Sequence, residues 1–293
     1  MQFRKITFDD MPSILPYLNS QKYRSCDFTA LGVYMWVDAF LYEFAIDKDC
    51  LFIREKSADG YNYLAPISTC HTPKFALELL QRHLKDVGET FLTLTLLPKP
   101  FLDEVGISES DCVYQREFSD YLYSANDLKE LKGRAFSKKR NLIHQFLSLE
   151  PNYKFIPLDE VDFNSYENFV KTAKIGDSAL AVYENTRLID VFKKSKALNL
   201  LSYALIGGEN YIIGFCIGEV VDDTFYVHIE KADTDYKGAY QMINNLFVKE
   251  IAKGYNFNFV NREDDVGDDG LRKAKLSYNP VSLIDKFKVT LPL

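Results

Sequence analysis

Helix-like and strand-like patterns alternate through both halves of this 293-residue chain, and the alternation predicts a mixed α+β fold in two modules. Size and composition agree with that reading. The length suits one large domain or two ordinary ones, and 47% hydrophobic residues are ample for buried cores. A change of character near Arg116, where a basic stretch begins, divides the chain, and modules are expected over 1–132 and 133–293. With 14 Gly, 10 Pro and no internal repeat, collagen-like, disordered and solenoid architectures are excluded.

In the first module, residues 28–40 carry apolar side chains at helical spacing after Asp27, a candidate N-cap. Strands are expected over 41–46 and 50–55 and, after an Asp59-Gly60 turn, over 61–67. Thr72-Pro73 opens a helix with Phe75, Leu79, Leu80 and Leu84 on one face. Residues 90–97 are then a buried strand closed by Pro98.

Between 129 and 140, Lys129, Lys132, Arg134, Lys138, Lys139 and Arg140 face a single acid, Glu130. The helix expected over 137–149 turns Ile143, Phe146, Leu147 and Leu149 inward and leaves Lys138, Lys139 and His144 to solvent or ligand. A merely solvated face is the plain alternative. Helices over 162–174 and 179–194 precede three antiparallel strands at 198–206, 211–220 and 224–230, joined by Gly207-Gly208-Glu209-Asn210 and Asp222-Asp223. In the third strand, alternation sends Phe225, Val227 and Ile229 to one face and Tyr226, His228 and Glu230 to the other, which can border a cleft.

Tyr236-Lys237-Gly238-Ala239 then turns the chain into a helix whose stripe of Tyr240, Ile243, Phe247 and Ile251 must be buried. Its unpaired N–H groups, with Lys237, suit an anion, although turn geometry alone explains Gly238. A strand at 256–261 follows. Five carboxylates, Glu263, Asp264, Asp265, Asp268 and Asp269, come before a helix bearing Arg272, Lys273 and Lys275, an order that the helix dipole partly explains. Tyr278, at the end of that helix, is either a packing residue or a proton-transfer group.

Other chemistries are disfavoured. The five cysteines (Cys26, Cys50, Cys70, Cys112, Cys216) include no C-x-x-C pair and the four histidines are scattered, so no metal is expected. A net charge of −7 opposes a dedicated nucleic-acid binder, with the basic stretch as a local exception. No apolar run approaches the ~20 residues that cross a bilayer, and MQFRKITFDDMP lacks a secretory apolar core. No integral membrane segment and a cytoplasmic location are therefore expected.

Three segments carry a resemblance: CDFTALGVYMW, DYLYSANDLKELKGRAFSKKRN, and DYKGAYQ followed by VNREDDVGDDGLRKAKLSYNP. Spanning nearly the whole chain, they resemble the phosphatidylglycerol lysyltransferase C-terminal-domain family, related to the Fem-type peptidyltransferases. The resemblance implies two tandem acyltransferase folds of the GNAT type, each a mainly antiparallel sheet flanked by helices. It implies transfer of an acyl group from coenzyme A, as acyl-CoA, or from aminoacyl-tRNA, to an amine or hydroxyl of a small molecule, lipid or peptide. Carried over by position, Tyr236, Lys237, Gly238, Ala239 and Tyr240 would hold the donor phosphates. The usual acyl-CoA motif has a second small residue where Tyr240 stands.

In the same reading His228 or Glu230 would deprotonate the acceptor, Asp265 would hold its amine, and Tyr278 would protonate the leaving group. Arg272 and Lys275 would meet a donor or acceptor anion, and Lys138 and Arg140, with the rest of the basic stretch, would meet tRNA phosphates. A catalytically silent ligand-binding fold and an RNA-binding protein acting through the basic helix are the alternative functions.

Overall fold

In the computed structural model, which describes residues 1–172, 178–208 and 210–293, the last strand of the chain returns to pair with Phe91–Pro98. The chain accordingly divides into one unit of Met1–Tyr121, Glu263–Arg272 and Leu283–Leu293, and a second of Leu122–Arg262 and Lys273–Ser282. By contact the second unit begins at Leu122, and antiparallel pairing with β6 brings the last strand into the first unit.

The first unit opens with β1 (Arg4–Lys5), α1 (Met11–Leu18) and α2 (Ala30–Trp36). The N-cap of α2 is Thr29, whose side chain accepts from the Gly32 N–H, so the helix starts later than Asp27 would have it. There follow β2 (Glu43–Asp47), β3 (Cys50–Ser57), β4 (Gly60–Tyr63), β5 (Ile67–Ser68), α3 (Pro73–Asp86), β6 (Phe91–Pro98), α4 (Lys99–Val105) and β7 (Val113–Tyr114). Thr72 caps α3 with Pro73 in its first turn, as the sequence predicts. Phe75 stays exposed, and the buried face is Ala76, Leu77, Leu79, Leu80 and Leu84.

Chain order continues with β8 (Asp120–Ser124), α5 (Ala125–Glu130), α6 (Ser137–Leu149), β9 (Lys154–Pro157), α7 (Phe163–Thr172) and α8 (Ala179–Lys194). Next come β10 (Leu201–Ile206), β11 (Ile212–Val221), β12 (Thr224–Ala232), α9 (Ala239–Ile251), β13 (Phe259–Asn261), α10 (Asp269–Leu276), β14 (Ser282–Ile284) and β15 (Lys286–Pro292). Residues 173–174 of the expected 162–174 helix and Glu209 of the expected turn lie outside the described residues.

The first sheet has the order β1-β2-β3-β4-β6-β15-β7, with β5 on β3, and only β4 and β6 pair in parallel. The second has the order β14-β8-β13-β12-β11-β10-β9, and from β8 to β9 only β12 and β13 pair in parallel. Both are thus mainly antiparallel sheets flanked by helices, as the sequence predicts. On α9, Ile243, Phe247 and Ile251 are fully buried, while Tyr240 is 38% exposed. Burial of one such side chain is worth about 1.5–3 kcal/mol, which fastens α9 to the sheet between its two parallel strands.

Candidate functional site

Strands β12 and β13 stay paired for three residues, Thr224↔Phe259, Phe225↔Val260 and Tyr226↔Asn261. Beyond that point β13 ends and β12 runs on alone along that edge to Ala232. A parallel pair that stops early leaves a notch that only side chains can fill, and here charged ones fill it. Arg262, the first residue after β13, donates through Nη2 to Glu230 of β12. Asn244 of α9 donates to the same carboxylate at 3.2 Å. The Arg262 guanidinium lies 4.7 Å from the ring centre of Tyr278 and 5.8 Å from that of Tyr123, a cation–π arrangement.

Lys139, from α6, completes the cluster. Its Nζ lies 3.8 Å from the Tyr278 ring centre and donates to Ser277 Oγ at 2.6 Å. Backbone anchors hold these groups in place. Lys275 Nζ donates to the Arg262 carbonyl at 2.6 Å, and the Tyr123 hydroxyl donates to the Lys275 carbonyl at 2.9 Å. Among the described residues, Arg262 Nε, Arg262 Nη1 and Asn244 Oδ1 are buried with no hydrogen-bond partner. Buried donors and acceptors are nearly always paired, so these three invite a ligand atom or a bound water.

The electrostatics suit proton transfer. Burial, reinforced by the Arg262 charge, pulls the Lys139 ammonium down to about 8. Burial pushes the Tyr278 hydroxyl up to about 12, with Arg262 opposing, so it carries its proton at neutral pH. Although burial works against it, Glu230 keeps Arg262 above its ordinary value. An ammonium that gives up its proton near pH 8 and a protonated phenol therefore lie side by side.

Of the residues singled out by sequence, Glu230 and Tyr278 meet here, and Lys275 stands behind them as the group that anchors Arg262. His228 does not join them. The register of β11 with β12 jumps from Ile217↔Ile229 to Gly218↔Val227, which leaves His228 as the extra residue of a β-bulge. The bulge breaks the expected alternation. Tyr226 and His228 stack on one face, with His228 Nε2 3.0 Å from Glu219 Oε1, whereas Glu230 shares the α9 face with Phe225. Both faces of β12 around His228 are covered, so neither row of side chains simply borders an open cleft.

At the start of α9, Lys237 is exposed, Tyr236 is half-buried, and Gly238 and Ala239 are buried. Gly238 has φ 91°, and a Cβ there would lie 2.0 Å from the Leu142 carbonyl oxygen of α6. The glycine is thus required by the approach of α6, which fills the space in front of the turn. On α6 the inward face carries Lys139 and Phe146, with Ile143 and Leu147 half-buried and Leu149 exposed, so the buried lysine is Lys139 and the exposed one Lys138. Arg140 is engaged elsewhere, donating through Nη1 to the carbonyls of Leu131 and Gly133.

Asp265 and Arg272 belong to the first unit and are turned toward each other. The buried Asp265 carboxylate accepts from Arg272 Nε at 2.9 Å and Nη2 at 2.8 Å, Arg116 at 3.1 Å, Tyr121 at 2.6 Å and the Gly267 N–H at 3.0 Å. Burial alone would raise it, but hydrogen bonds from Arg272 and Tyr121 hold it well below the usual carboxylate range. Five donors saturate the group, which corrects the expectation that it holds an acceptor amine; Arg272 likewise meets an internal carboxylate rather than a ligand anion. A cavity of about 500 Å³ in the second unit is lined by Ser165, Asn168, Tyr211, Asp233 and Asp235 among others, and its described lining includes no cation. That lining suits an amine better than a phosphate.

Residues 20–290 match the family described as "Phosphatidylglycerol lysyltransferase, C-terminal". A conserved protein of unknown function from Bacteroides thetaiotaomicron is 28% identical in sequence and superposes with a TM-score of 0.81, covering 99% of each chain. L-PGS from Bacillus licheniformis, at 11% identity, has a TM-score of 0.65 over 97% of this chain and 92% of its own. FemX, also at 11%, has 0.59 over 99% and 98%. The last two are likenesses of fold.

Proposed function

Because the chain belongs to the phosphatidylglycerol lysyltransferase C-terminal family, we propose that it transfers an aminoacyl group from aminoacyl-tRNA to an amine or hydroxyl acceptor, in the notch between β12 and β13. The observation that carries the reading is the Arg262 guanidinium, with Nε and Nη1 unpartnered among the described residues, beside Lys139 and Tyr278 where the parallel strands part. The acceptor nitrogen or oxygen attacks the ester carbonyl, and the tRNA ribose oxygen leaves. Arg262 faces the negative charge that develops on the carbonyl oxygen. Neutral Lys139 takes the proton that the acceptor loses, and Tyr278 gives one to the departing oxygen. Glu230 is a positioning residue, holding Arg262 in plane.

Two observations favour tRNA over coenzyme A as donor. Tyr240 stands where acyl-CoA folds have a small residue, and α6 fills the approach to Gly238 that a pyrophosphate would need. Exposed Lys132 and Lys138 remain to meet tRNA phosphates. An aminoacyl-tRNA donor also places the reaction in the cytoplasm, with a small molecule, lipid or peptide as acceptor.

The test supplies labelled aminoacyl-tRNA or labelled acetyl-CoA together with amine and hydroxyl acceptors, and follows label into product by mass spectrometry. Label is expected from aminoacyl-tRNA, and to be lost in Tyr278→Phe while the fold is kept. Label from acetyl-CoA instead would reverse the donor assignment. Saturable binding without product from either donor would leave a silent binding fold.

A further inference from the structure

The sequence scatters its cysteines and histidines, but the fold of the first unit gathers one of each. We propose that Asp49, Cys70 and His71 form a zinc-binding site, sharing no residue with the notch between β12 and β13. β5 pairs with β3 through Cys50↔Ser68, which lays the tip of the β2–β3 hairpin against the segment after β5. The Ser68 hydroxyl then joins the backbone of all three residues. It donates to the Asp49 carbonyl at 2.7 Å and accepts from the Cys70 N–H at 3.3 Å and the His71 N–H at 3.0 Å. One oxygen, one sulfur and one nitrogen ligand atom consequently stand within 4.8 Å of one another.

Cys70 is a free thiol, and among the described residues neither it, the Asp49 carboxylate nor a His71 ring nitrogen is in a hydrogen bond or ion pair. The His71 ring lies against Phe75 at 4.3 Å between centroids, which restricts its plane. Cys50, next to Asp49, is not a fourth ligand: its thiol is buried and donates to the Lys48 carbonyl at 3.4 Å.

The donor set selects the ion. Calcium and magnesium take oxygen ligands, whereas a thiolate, an imidazole and a carboxylate together suit zinc, with water in the fourth tetrahedral position. Zinc–ligand bonds of about 2.0–2.3 Å bring ligand atoms to ~3.3–3.7 Å apart, so the exposed side chains close by about 1 Å on binding. Cys70 loses its proton to the solvent in the process, and affinity rises with pH.

The experiment uses the full chain, reduced and stripped of metal by a chelator, titrated with zinc sulfate against a coloured competitor and separately with cobalt(II). One ion per chain is expected, with a thiolate-to-cobalt charge-transfer band that Cys70→Ser abolishes. His71→Ala should weaken binding by about tenfold or more. Zinc should raise the thermal midpoint of the parent and not of Cys70→Ser. Both substitutions are at exposed positions, and circular dichroism checks that the fold is kept. Absence of binding, or equal binding by both variants, meaning adventitious surface zinc only, overturns the site. Neither result depends on transferase activity.

Discussion

In the first unit Lys286, fully buried, lies 2.6 Å from Asp120 and 2.6 Å from Asp27, and Asp120 also accepts from the Cys26 N–H at 2.8 Å and thiol at 3.2 Å. In the second unit Arg262 is partly buried, two of its buried nitrogens have no partner among the described residues, and its neighbouring cation, Lys139, is drawn down to about 8. Lys286 behaves oppositely: burial would lower it, but the Asp120 and Asp27 carboxylates hold it well above its ordinary value. The contrast separates two uses of buried charge. A saturated cluster joins distant chain segments and offers nothing to a ligand, whereas an unsaturated one retains binding capacity at a cost in stability.

The largest expected effect breaks the saturated cluster. Lys286→Met leaves two buried carboxylates facing each other, and denaturant unfolding should show a loss of about 3–5 kcal/mol. A neutral result would end the distinction drawn between the clusters. Arg262→Lys keeps a charge for Glu230 but removes the planar fork; donor turnover should fall by about 10²–10³-fold while the unfolding midpoint hardly moves.

A third measurement sharpens the comparison through pH. Turnover should rise along a limb near 8, the value of Lys139, and Lys139→Arg should remove that limb. The sign for stability follows from the same shift. Between about 8 in the folded chain and the ordinary 10.5, the unfolded chain binds the Lys139 proton and the folded one does not, so this contribution grows as pH rises through that window. Urea unfolding at several pH values should lose that increment in Lys139→Met. The smallest effect concerns exposed Lys138: its change to Ala should reduce the salt slope of tRNA binding by about one, with turnover at saturating donor unchanged.

Much of the fold was legible because local rules and tertiary packing agree there. The helices over 137–149 and 179–194 appear at those bounds, and the Thr72 cap and Pro73 start α3. The candidate site was half legible. Glu230 and Tyr278 stood out as chemical side chains, but Arg262 did not, although a cation directly after a strand was a usable sign. Lys138 and Lys139 are adjacent, and only the packing of α6 decides which of them is buried.

Asp27 and Asp265 look like capping or ligand acids in the sequence and prove to be internal counter-ions, because their partners, Lys286, Arg116 and Arg272, lie at unrelated or ambiguous spacings. Periodicity, turn chemistry and the family motifs depend on near neighbours in the chain, so the sequence by itself determined helices such as α3, α6, α8 and α9, the meander of β10 to β12, and the family. The bulge at His228, the return of β15 to the first sheet, and the sorting of charges into paired and unpaired ones depend on contacts between distant segments. Those the tertiary structure alone decided, since a single inserted residue or one helix's rotation changes which side chains share a face without altering the local pattern.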